Sequence, residues 1–236
     1  MPPGPSTRTS SHVGVRGLTG SLSSYDVDQA MHGRSEAFLA CVEARPARYG
    51  WIGGEVRFHF EVDASGQITH THLTHSDLGY AELENCLVEV ATETRLPKPA
   101  GSNATEVGWN MSVAPLDGEP QGLEAEHEPA LRDAILRHAE STFEACEIPR
   151  DQRFVVTGYL ARNARIIVAS ASPPWQGTTD THRDPKQLSC LNDTLQQWKG
   201  LPRTEGLRKL SFELQWAKAP QTPEPRASAK PRRSQR

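Results

Sequence analysis

Four cysteines set at nearly equal paces show that this chain is one unit written twice. Cys41 and Cys86 lie 45 residues apart, Cys146 and Cys190 lie 44 apart, and the second pair follows the first by about 105. The words around them repeat as well. Glu-Ala-Phe-Leu-Ala-Cys41 answers Ser-Thr-Phe-Glu-Ala-Cys146, Glu-Asn-Cys86-Leu-Val answers Leu-Ser-Cys190-Leu-Asn, and Leu96-Pro97 answers Leu201-Pro202. A tandem duplication accounts for all of these together, so the 236 residues divide into two small domains.

Each copy has about 90 to 95 residues, enough for a modest core that gains from a covalent staple. The net charge of −3 creates no global field toward nucleic acid or an acidic membrane surface. A hydrophobic content of 36% is low for a fully folded chain, and the ends account for the deficit. Residues 1–22 are rich in Pro, Gly, Ser and Thr and read as a disordered N-terminal segment, and residues 218–236 read as a Pro-rich basic disordered tail. Residues 117–128, acidic and punctuated by Gly and Pro, read as a linker between domains at 23–116 and 129–217. No stretch approaches the ~20 apolar residues of a membrane span. The N-terminus also lacks the charged start and apolar run of a secretory signal.

Within each copy the pattern predicts helix, strand, strand, helix, strand. The first helix spans 25–45, with Val27, Met31, Phe38, Leu39 and Val42 at helical spacing, and 129–147 in the second copy. Val56, Phe58, Phe60 and Val62 alternate with polar residues as in a half-buried strand, the turn 63–66 ends in Gly66, and 68–73 returns. The second copy matches with Phe154, Val156 and Leu160, a turn at 161–164, and a returning strand at 166–168. Gly158 there marks an expected bend or bulge. Second helices at 80–94 and 185–199 each end at a Leu-Pro pair. Last strands carry Val107, Trp109, Met111 and Val113, and Leu210, Phe212, Leu214 and Trp216. The expected fold is α+β: two tandem α-β-β-α-β domains, each a three-stranded antiparallel sheet covered by two helices.

The stretch Gly54-Glu-Val-Arg-Phe-His-Phe-Glu-Val-Asp-Ala-Ser-Gly66-Gln-Ile, followed by Leu96-Pro-Lys-Pro99, resembles the TonB C-terminal domain. A cysteine closing the first helix and another inside the second narrow the resemblance to the AgmX/PglI-type C-terminal domain of myxobacteria and their relatives. It covers residues 25–115 in the first copy. In the second, over 128–217, the cysteine and Leu-Pro landmarks persist while the glycine turn is lost. The resemblance implies work at the periplasmic side of a cell-envelope machine, such as energy coupling or gliding motility. It also implies a partner peptide that adds to an open sheet edge as an extra strand. The candidate edges are the last strands, 107–113 (Val107, Trp109, Asn110, Met111 and Val113) and 210–216.

Four cysteines allow three disulfide pairings. The repeat argues for Cys41–Cys86 with Cys146–Cys190, since each pair would join two helices on one sheet face. The alternative is four buried free thiols in a cytosolic scaffold, and no CxxC spacing favours structural zinc. His59, His70 and His72 fall on the outward face of the first hairpin, where imidazoles on adjacent strands could bind Zn²⁺ or Cu²⁺ in a metal-binding protein or metalloenzyme. The plainer expectation is a polar solvent face. HExxH, GxSxG and phosphate-cradling GxxxxGK patterns are all missing. The primary expectation is therefore a non-enzymatic, periplasmic or envelope-associated interaction module. It has protein partners and no cofactor, nucleic acid or small-molecule substrate, and this chain does not span the membrane.

Overall fold

A computed structural model describes residues 22–101, 103–124, 128–172 and 185–216. The expected tails at 1–21 and 218–236 lie outside the described residues. Leu22, assigned above to the N-terminal segment, is buried in the first core.

The first half is a three-stranded antiparallel sheet of order β2-β1-β3, with β1 at Gly54–Val62, β2 at Ile68–Ser76 and β3 at Thr105–Val113. The alternation seen in the sequence is the alternation of burial. Val56, Phe58, Phe60 and Val62 of β1 and Val107, Trp109, Met111 and Val113 of β3 turn into the core. The single helix expected over 25–45 is instead two, α1 (Ser24–His32) and α2 (Ser35–Glu43). The break falls at Gly33-Arg34, where a residue of poor helix propensity precedes one turned to φ −105°, ψ 13°. Ser23 caps α1 by accepting from the Asp26 N–H at 3.1 Å. α3 (Ala81–Thr92) completes the layer and buries Leu83, Leu87 and Ala91.

The second half departs from the expected three strands. Its sheet has order β4-β7-β5-β6, from β4 (Gln121–Glu124), β5 (Arg153–Leu160), β6 (Ile166–Ser172) and β7 (Arg208–Gln215). β4 comes from the stretch read as a linker and pairs parallel to β7, with Gln121 opposite Arg208 and Leu123 opposite Leu210. Helices α4 (Pro129–Ala145) and α5 (Pro185–Gln196) accompany this sheet. The irregularity expected at Gly158 falls one pair further on, between Tyr159 and Leu160. One disulfide joins Cys41 of α2 to Cys86 of α3, and another joins Cys146 at the end of α4 to Cys190 of α5.

The halves share a buried seam. The outward face of β5 and β6 presents Thr157, Tyr159, Val168 and Ser170, and all four are buried. Tyr159 lies 4.4 Å from the Trp51 ring, and with Val168 it packs into the first half's core. Burial pushes its hydroxyl well above the ordinary phenol range. Glu84 of α3, itself buried, accepts from Ser76 Oγ at 2.6 Å and from Ser170 Oγ of the second half. Thr157 Oγ1 donates to Ser76 O at 3.0 Å, and Lys209 Nζ donates to Gly53 O at 2.9 Å. Beside this seam a hydrogen bond from His75 holds the Asp77 carboxyl below its ordinary range, with the two side chains 3.0 Å apart.

Candidate functional site: an edge strand and its groove

Among the described residues β3 lies at the edge of the first sheet, with β1 as its single neighbouring strand. The direction of its main-chain groups follows from the pairing. Glu55 O accepts from Asp77 N–H at 2.9 Å, so Glu55, Arg57, His59 and Glu61 turn their backbone groups toward the β2 side, leaving Val56, Phe58 and Phe60 to bond with β3. Side-chain hydroxyls agree: Thr69 donates to Glu61 O and Thr74 to Arg57 O. The β1–β3 register runs without a shift, Phe58 opposite Trp109. Val107, Trp109 and Met111 therefore bond inward to β1. Gly108, Asn110 and Ser112 turn their N–H and C=O to the side away from β1.

Next to this edge the corner between α1 and α2 leaves a groove of about 230 Å³. Met31, Phe38, Leu39 and Val42 line it from the helices, and Trp109 and Met111 line it from β3. The Trp109 ring sits 5.3 Å from Phe38 and 5.5 Å from Phe58, and its Nε1–H donates to Asp28 Oδ1 at 3.3 Å. The groove wall is thus fixed on both sides, by aromatic packing and by one hydrogen bond. A helix running unbroken through Gly33-Arg34 would not make this corner. Sequence reasoning found the strand but missed the groove, and Gly33 inside a helical run was the signal available.

In the second half the alternative edge, 210–216, is not open along its length. β4 already pairs with Arg208 through Ser211. An extended segment of this same chain thus occupies the first part of the position that no described strand fills beside β3 in the other half.

The three histidines do share one face of the first hairpin. His59 pairs across from His72, and Glu61 pairs across from His70. Each imidazole meets a carboxylate: His59 Nε2 lies 3.4 Å from Glu106, His70 Nδ1 3.1 Å from Glu61 and His72 Nε2 3.6 Å from Glu61. Neighbouring rings stand 6.3 and 6.4 Å apart. Among the described residues no group of three or more His, Cys, Asp or Glu is arranged to hold a metal ion. Nor, among them, is any helix long and apolar enough to cross a membrane. No protein-family model, curated protein or solved structure matches this chain.

Proposed function

We propose that the chain is a non-enzymatic interaction module of the cell envelope, a tandem pair of TonB-C-like domains that takes an extended partner segment as a fourth strand on β3. The observation that carries this reading is the contrast between the two sheets. β7 has an extended strand, β4, hydrogen-bonded along the first part of its outer side, whereas β3 has an apolar groove beside an edge with no described strand. Main-chain bonds to Gly108 and Ser112 supply affinity, and apolar side chains of the partner entering the groove supply selection. The outward face of β3 carries one charge, Glu106, so little electrostatic repulsion guards the edge. Two disulfides fit an oxidising compartment, which agrees with a periplasmic or envelope-associated site.

The test uses a peptide selected by display against the wild-type chain. Ser112→Pro removes one outward N–H and leaves the β1 ladder in place, so binding falls by roughly tenfold or more. His70→Ala, on the solvent face, leaves binding unchanged. Loss with His70→Ala and retention with Ser112→Pro would move the contact to the histidine face and its metal chemistry.

A further inference from the structure

The two β-hairpins turn in the same way and then part company. Asp63 N–H donates to Gln67 O and Gly66 N–H to Asp63 O in the first half. Ala161 N–H donates to Arg165 O and Ala164 N–H to Ala161 O in the second. Gly66 and Ala164 thus hold the same place, at φ +86° and +60°. In the first half the Leu-Pro segment closes onto this turn: Leu96 N–H donates to Gly66 O at 2.9 Å, and Gln67 bridges to Arg95. The approach requires glycine, since a Cβ at Gly66 would stand 2.1 Å from Leu96 O. Ala164 carries that Cβ. The second half also has one more residue between its cysteine and its Leu-Pro, eleven positions from Cys190 to Leu201 against ten from Cys86 to Leu96. Among the described residues no bond joins Ala164 to Leu201.

A cleft of about 1030 Å³ opens where the first half is shut. Arg165, Lys199 and Arg203 line it, with the amides of Asn163, Gln196 and Gln197. Among the described residues no carboxylate lines it, although acids outnumber bases 29 to 26 over the chain. The far wall is held from behind. Arg137 Nη2 donates to Gly200 O at 3.4 Å, His138 Nε2 lies 2.7 Å from Lys199 O, and the His138 ring stacks on Trp198 at 5.0 Å. Trp198 Nε1–H in turn donates to Thr142 Oγ1 at 3.0 Å. The cations therefore stand on a braced loop and a tight turn, an arrangement that spends little ordering entropy on binding.

We propose that this cleft is an anion-binding site, and that its ligand carries at least two carboxylate or phosphate groups. Two guanidinium groups offer paired N–H donors to oxyanions, the lysine adds a third charge, and the neutral amides serve the uncharged part of the ligand. The site is independent of the β3 edge and does not rest on the strand-accepting reading.

The test is calorimetric titration of the full chain with tripolyphosphate and, separately, with citrate at matched ionic strength, with amide chemical shifts recorded alongside. The expected result is saturable binding of at least one probe, with shifts at Asn163, Arg165, Lys199 and Gly200, and the tighter probe identifies the oxyanion type. The Arg165→Glu/Arg203→Glu double variant weakens that binding by roughly tenfold or more. Arg162→Glu, on the same turn but outside the cleft, leaves it intact. Circular dichroism of each variant checks that the fold is kept. Absence of saturable binding by both probes, equal binding by the double variant, or shifts centred elsewhere would overturn the proposal.

Discussion

The hydroxyl of Ser170, in the second half, donates to the carboxylate of Glu84, in the first, and both residues are buried. A buried carboxylate held by two serine hydroxyls, one from each half, couples the halves more firmly than surface contact would. Glu84→Ala leaves both hydroxyls without their acceptor and is expected to cost about 2 kcal/mol. Urea denaturation of the wild type should show one cooperative transition, with the Glu84→Ala midpoint lowered. Two separated transitions in the wild type would contradict the shared seam.

The disulfides make a second prediction. Peptide mapping without reduction should recover Cys41 linked to Cys86 and Cys146 linked to Cys190. On the chain-entropy model, opening a loop of this length lowers stability by about 4 kcal/mol, so a Cys146→Ala/Cys190→Ala variant should melt well below the wild type. Any link between the halves would be inconsistent with both bonds.

The glycine turn gives a third. Gly66→Ala places a methyl group 2.1 Å from a backbone oxygen that has no flexible end to swing away, and it does so at φ +86°. The expected cost is about 2 kcal/mol or more. Ala164→Gly at the matching position relieves a left-handed alanine and should be neutral or slightly stabilising by the same denaturation measurement.

Asp77 gives a prediction in pH. Its folded value is depressed, chiefly by the hydrogen bond from His75, so the unfolded chain binds the proton more readily. The stabilisation is fully present above the unfolded value of about 3.8 and is lost as pH falls through the lower folded value. The side chain is 39% exposed, which limits the effect to below about 1 kcal/mol. Asp77→Asn should therefore be slightly less stable than wild type near neutrality, and the gap should close in strong acid. A gap that widened on acidification would reverse the sign.

The strands and their inward faces were legible in the sequence because period-two burial leaves its mark residue by residue. Val107, Trp109, Met111 and Val113 carry that mark and are buried. The seam was not legible, since Thr157 and Ser170 look like solvent-facing residues of an outer sheet face. Their hydroxyls are satisfied by groups far away in the chain, and a one-dimensional pattern holds no trace of that. β4 was hidden for a related reason. Four residues between glycines, prolines and acids have no periodicity to show, and their partner strand lies at the opposite end of the second half. The groove at the candidate site depended on one residue, Gly33, in an otherwise helical run.

Backbone amide exchange on β3 tests the central claim most directly. With the display-selected peptide bound, the account predicts new protection at Gly108 and Ser112, whose N–H groups turn away from β1. Val107, Trp109 and Met111, already bonded to Phe60, Phe58 and Val56, should change little. Protection that appeared instead along β2 or over the histidine face, with the outward amides of β3 exchanging as before, would contradict strand addition at this edge.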